Sequence, residues 1–129
     1  MTDPIADMLN RIKNAYAVKK PTVDVAFSNM ALRLAKALEQ RGYIKGVETR
    51  GKRVRKTLEI ALKYKEGLPA VSGIKRVSKP GQKIYAGFDE LRKVKGGIGM
   101  AIISTSKGLI TDAEAKKEKI GGEILCEIW

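Results

Sequence analysis

Residues 104–108 read Ser-Thr-Ser-Lys-Gly. Three hydroxyls, an ammonium and a glycine in five positions suit the recognition of ribose, phosphate and base edges. A hydroxyl both donates and accepts, and a lysine supplies a compact positive charge. Gly108 lets a backbone approach closely. The plain alternative is a Ser/Thr turn joining two strands. Covalent chemistry is harder to assemble here. The chain has no histidine, so Ser-His-Asp and Cys-His arrangements are excluded. Ser104 with Lys107 as its base is chemically feasible, but nothing in the sequence orients that base. Cys126 lies among apolar residues and reads as a small core side chain. With one cysteine, no disulfide forms within the chain and no Cys/His zinc set can be built. The adjacent Asp89 and Glu90 read as solvated loop charges.

Two nucleotide-site lookalikes fail on chemistry. Gly46-Val-Glu-Thr-Arg-Gly51-Lys52 matches the start of a phosphate-binding loop, but Arg53 stands where Ser or Thr would hold magnesium. The following residues read as a strand, which removes the helix amides and dipole that bind the anion. Gly97-Ile98-Gly99 opens a dinucleotide fingerprint but has Ile102 where its third glycine belongs.

Charge is the positive signal. The 129 residues include 26 basic and 14 acidic side chains, a net charge of +12. Residues 1–106 carry 22 basic and 9 acidic groups, a net +13, whereas residues 107–129 carry a net −1. Such an excess repels itself unless a polyanion is nearby, which favours nucleic acid first and an anionic membrane surface second. Arg50, Lys52, Arg53, Arg55 and Lys56 fall within seven residues that hold no carboxylate. Lys75, Arg76, Lys79 and Lys83 form a second group, and Arg92, Lys93 and Lys95 a third. Tyr85 follows Lys83 by two positions; stacking on a base would contribute about 1–3 kcal/mol. Its plain alternative is a half-buried strand tyrosine. No run approaches the roughly 20 apolar residues of a membrane span, and Met1-Thr2-Asp3-Pro4 does not open a signal peptide. A cytoplasmic protein is expected, without a cofactor, metal or small-molecule substrate.

The elements that position these groups follow from periodicity. Asp3 suits an N-cap and Pro4 a first helical position. Ile5, Met8, Leu9, Ile12 and Tyr16 then repeat at helical spacing, with Asn10, Arg11, Lys13 and Asn14 away from that stripe. Val23, Val25 and Phe27 alternate as a strand. Ser28 caps a second helix with core positions Met30, Ala31, Leu34, Ala35 and Leu38, closed by Gly42. Strands are expected over 43–49 and 57–63, with a basic hairpin tip over 50–56. Residues 65–70 hold Gly and Pro and read as a linker. Further strands are expected over 74–77, 82–86 and 98–103, with a helical turn within 88–94. Thr111 and Glu114 form a capping-box pattern for a short helix. The last strand would turn Ile124, Cys126 and Ile128 to one face and Leu125, Glu127 and Trp129 to the other. The fold class is α+β, in two units: αβαββ over 1–66, a linker over 67–73, and a mostly β unit with one short helix over 74–129.

Four segments together resemble a known family. Ile103-Ser-Thr-Ser-Lys-Gly-Leu-Ile-Thr-Asp-Ala-Glu-Ala-Lys-Lys117 is similar to the signature of the eighth protein of the bacterial small ribosomal subunit. Asp3-Pro-Ile-Ala-Asp-Met-Leu-Asn-Arg-Ile-Lys-Asn-Ala15 resembles its opening helix, Ser78-Lys-Pro-Gly-Gln-Lys-Ile-Tyr85 its central segment, and Gly121-Gly-Glu-Ile-Leu-Cys-Glu-Ile-Trp129 its last strand. The resemblance spans the chain. It implies a non-enzymatic primary binder of small-subunit ribosomal RNA that helps organise the central domain. The C-terminal unit would be the main reader, through Ser104, Thr105, Ser106, Lys107, Gly108, Tyr85, Lys83, Lys79, Gly122 and Glu123. Asp3, Pro4, Asn10, Arg11 and Asn14 would touch a second RNA segment, and Lys52, Arg53 and Arg55 would add phosphate contacts. It further implies the fifth small-subunit protein as a neighbour and repression of the protein's own operon messenger RNA. Two other classes make distinct predictions: a magnesium-dependent nuclease would turn RNA over, and a general DNA-compacting protein would bind duplex DNA equally well.

Overall fold

A computed structural model of the chain describes residues 4–52 and 55–129. Asp3 and Arg53 lie outside the described residues. The fold is α+β, and the chain divides into two compact units, Met1–Val71 and Ser72–Trp129.

The first unit runs α1 (Pro4–Ala17), β1 (Thr22–Ala26), α2 (Asn29–Gln40), β2 (Ile44–Arg50) and β3 (Thr57–Leu62). The strands form an antiparallel sheet in the order β1-β3-β2. Leu58, Ile60 and Leu62 are buried on one face, as their alternation requires, together with Ile5, Met8, Leu9, Ile12, Ala15 and Tyr16 of α1 and Ala31, Leu34, Ala35 and Leu38 of α2. Ser28 caps α2 by accepting from the Ala31 amide at 3.0 Å, and Gly42 leaves the helix at φ +80°. Met30 is not in the core: it is 44% exposed, because its place in the first turn faces away from the sheet. Residues 65–70 are not irregular throughout. Tyr64–Lys65 (β4) and Leu68–Pro69 (β5) pair as a short hairpin, with Glu66 and Gly67 both at positive φ in the turn between them.

The second unit contains β6 (Ile74–Arg76), β7 (Tyr85–Ala86), β8 (Met100–Thr105), β9 (Gly108–Thr111), α3 (Asp112–Glu118) and β10 (Gly122–Ile128). The sheet order is β6-β10-β8-β9, and β7 pairs with β10 at its start. Ala101, Ile103, Leu91, Val94 and Ala115 cluster in its core, with Ala86, Ile110, Ile124 and Trp129 packed against them. The capping box of α3 is formed: Thr111 Oγ1 accepts from the Glu114 amide at 3.2 Å, and the Glu114 carboxylate accepts from Thr111. Asp112 also accepts from the Ala101 amide at 3.3 Å, which ties the helix start to β8.

Three expectations change here. A bulge between Ile124 and Cys126 breaks the alternation of β10, so Leu125 and Cys126 are both buried. Ile98 lies outside β8 and is 80% exposed, because residues 94–97 turn through positive φ at Lys95, Gly96 and Gly97. Residues 82–84 are loop rather than strand: Lys79 and Gln82 bond each other across a tight turn, the Ile84 carbonyl accepts from the Ile124 amide of β10 at 2.9 Å, and the paired register covers Tyr85 and Ala86.

Candidate nucleic-acid interface

The Ser-Thr-Ser-Lys-Gly segment is the tip of the β8–β9 hairpin. Thr105 faces Gly108, and Ser106 and Lys107 form the turn. Neither turn residue adopts positive φ; Gly108 does, at +100°, so glycine takes up the reversal. Thr105 does not present a free hydroxyl. Its Oγ1 accepts from the Lys107 amide at 3.1 Å and donates to the Gly108 carbonyl at 2.9 Å, bracing the turn. Among the described residues, the Ser104 and Ser106 hydroxyls have no hydrogen-bond partner. Ser106 and Lys107 are exposed, and Ser104 is half-buried.

Strand register brings separate motifs together. Tyr85 opposes Glu123, Glu123 opposes Ser104, and Ser104 opposes Leu109. Opposed side chains in antiparallel ladders share a face, with Cβ atoms about 4.5–5.5 Å apart. A phenol ring, a carboxylate and a free hydroxyl therefore stand in one row beside the hairpin tip. Tyr85 is 67% exposed, so the half-buried strand tyrosine is set aside. The row depends on its glycines. A Cβ on Gly122 would lie 2.2 Å from the Ser104 carbonyl oxygen, and one on Gly121 would lie 2.6 Å from that of Ala86.

Lys79 and Lys83 are exposed on the loop leading to Tyr85. The loop is held by Ser78, which sequence reasoning passed over. Its buried hydroxyl accepts from the Ile84 amide at 2.9 Å and donates to the Ile84 carbonyl at 3.3 Å. Arg76 Nε donates to the Ser78 carbonyl at 2.5 Å. The only signal in the sequence was a serine directly before Lys79-Pro80-Gly81.

Basic residues in the first unit are less uniform than their spacing suggested. Pro4, Asn10, Arg11 and Asn14 are exposed on α1, with Arg11 on Asp7 at 3.1 Å. Lys52 and Arg55 are exposed near the β2–β3 tip. Arg50 is not free of carboxylates: it bonds Glu48 at 3.0 Å and Glu59 at 3.1 Å. Lys56 covers the Phe27 ring at 5.2 Å. Asp24, Glu59 and Glu48 oppose one another across β1, β3 and β2, so the sheet face opposite Leu58 and Ile60 carries a row of negative charge.

Burial pushes the Cys126 thiol up to about 12, which leaves it neutral and inert at ordinary pH. Among the described residues, no group of three or more His, Cys, Asp or Glu side chains could hold a metal ion, and no helix is long and apolar enough to cross a membrane.

Comparison with known proteins identifies the setting of this surface. Residues 3–129 match the family described as Ribosomal protein S8. The chain belongs to that family. It is 53% identical over 130 aligned positions to small ribosomal subunit protein uS8 of Alkaliphilus metalliredigens, covering all of this chain and 98% of that protein. Small ribosomal subunit protein uS8 of Halothermothrix orenii and of Clostridioides difficile are each 48% identical, again across this whole chain and 98% of theirs. Members of the ribosomal protein S8 family are structural, non-enzymatic constituents of the small ribosomal subunit, and this places the chain in the cytoplasmic ribosome.

Proposed function

We propose that the chain is a primary binder of the central domain of small-subunit ribosomal RNA, with the β8–β9 tip and the Tyr85–Glu123–Ser104 row as its reader. The row carries this reading. A carboxylate repels phosphate but accepts from a 2′-hydroxyl or a base amino group, a free serine hydroxyl donates and accepts, and an exposed phenol ring stacks. Such a set suits unstacked bases and ribose in an irregular helix, since the A-form major groove is too narrow to read. Lys79, Lys83 and Lys107 flank the row and supply phosphate contacts. In the first unit, Pro4, Asn10, Arg11 and Asn14 contact a second RNA segment, and Lys52 and Arg55 add charge. The fifth small-subunit protein is a neighbour in the assembled subunit, and the operon messenger RNA competes for the same reader.

Footprinting on intact small-subunit RNA tests this. A compact protected region in the central domain is expected, lost with Ser104→Ala/Glu123→Gln and retained with Glu59→Gln. Equal protection along the whole RNA, or equal affinity for duplex DNA, would overturn it.

A further inference from the structure

We infer that the cleft between the last turn of α1 and the edge strand β1 takes a single unpaired RNA nucleotide. This rests on the proposed RNA-binding function and assigns a second, nucleotide-sized site within it. The cleft measures about 290 Å³ and is lined by Arg11, Asn14, Ala15, Val18, Lys20 and Val23. It is close to the small end of ligand pockets, about 300 Å³. That volume suits one nucleoside and is too small for a duplex.

The lining fits a nucleotide in each of its parts. Arg11 and Lys20 are cations, and no carboxylate lines the cleft. Arg11 leans on Asp7 through an exposed pair four residues apart, a weak contact that a phosphate can replace. Val18 is 67% exposed and, with Val23 and Ala15, offers an apolar wall to a base or ribose face. The Asn14 side-chain amide, which donates and accepts, has no partner among the described residues and can read a base edge. Specific RNA recognition favours splayed single bases met in this way.

The cleft is also preformed. Lys19 turns the chain at φ +56°, and the Lys20 amide donates to the Ala15 carbonyl at 2.9 Å. The Tyr64 hydroxyl donates to the Lys20 carbonyl at 2.6 Å. Tyr64 packs edge-on against Tyr16, whose hydroxyl accepts from the Lys63 amide at 3.2 Å and donates to the Tyr43 carbonyl at 2.5 Å. The backbone around the cleft is held before binding, so only exposed side chains such as Arg11 and Lys20 are ordered by a ligand and no loop is.

Base-specific chemical probing of intact small-subunit RNA, bound to the full chain, tests the site. One unpaired nucleotide should be protected by the wild type and become reactive with Val18→Asp and with Asn14→Ala, while the rest of the footprint stays. Affinity should fall about tenfold for Val18→Asp. Both side chains are exposed, so folding is not at stake, and circular dichroism of each variant checks it. An unchanged footprint and affinity with both folded variants would overturn the assignment. A wild type that protects nothing would overturn the RNA-binding reading itself, a distinct result.

Discussion

Within the hairpin tip, three similar hydroxyls have different duties. Thr105 is spent inside the turn, whereas Ser106 is free to meet RNA. Ser106→Ala should therefore leave stability unchanged but reduce preference for the cognate RNA by about 1–3 kcal/mol, as expected for a lost buried hydrogen bond. Thr105→Val should do the reverse first, lowering stability by about 1 kcal/mol in denaturant titration. If the two variants behave alike, the division is wrong. Cys126 offers a pH test. Burial raises its thiol to about 12 from 9.0. Below about pH 9 it is neutral in both folded and unfolded chains; above that, the unfolded chain ionises first, so stability falls as pH rises towards 12. Tyr16 is also raised by burial and adds loss in the alkaline range. Cys126→Ala should flatten the alkaline decline relative to wild type in thermal melts. Sequence alone told that Cys126 is buried, since it lies among apolar neighbours, but not which of the three hydroxyls is engaged in the turn, since all three share a chemistry.

Strands and their registers set what the reader can be. The first residues of β10 lie between β7 and β8, and Gly122 is there because no Cβ fits against the Ser104 carbonyl. Gly122→Ala should cost about 1–3 kcal/mol of stability and weaken RNA selectivity by spreading the row. Gly81→Ala, where a Cβ meets nothing within 4 Å, is the control and should be neutral in the same melts. Helix positions were legible because capping and the 3.6-residue stripe are local: Ser28, Thr111 and Glu114 cap as their types demand. The 64–69 hairpin and the β10 bulge were not. Glycine and proline mark a turn without saying whether its flanks pair, and a bulge leaves no mark in an alternating pattern.

For the chain taken together, net charge sets affinity but not where it acts. Lys52 is exposed near the β2–β3 tip, whereas Arg50 is held by Glu48 and Glu59. Lys52→Gln should reduce the slope of log affinity against log salt by about one and weaken all RNAs alike. Arg50→Gln should change that slope less. Equal slopes for the two variants in filter-binding titrations would show that the carboxylates do not matter. The α+β class, the helix stripes, the buried cysteine, the absence of histidine chemistry and the polyanion preference could all be read from residue types and short spacings, because each is a local or additive property. The Tyr85–Glu123–Ser104 row, the bracing of Thr105, the Ser78 clasp, the neutralised Arg50 and the α1–β1 cleft could not. Each depends on residues far apart in the chain meeting through strand register, and register is settled only when the core packs and backbone hydrogen bonds choose their partners.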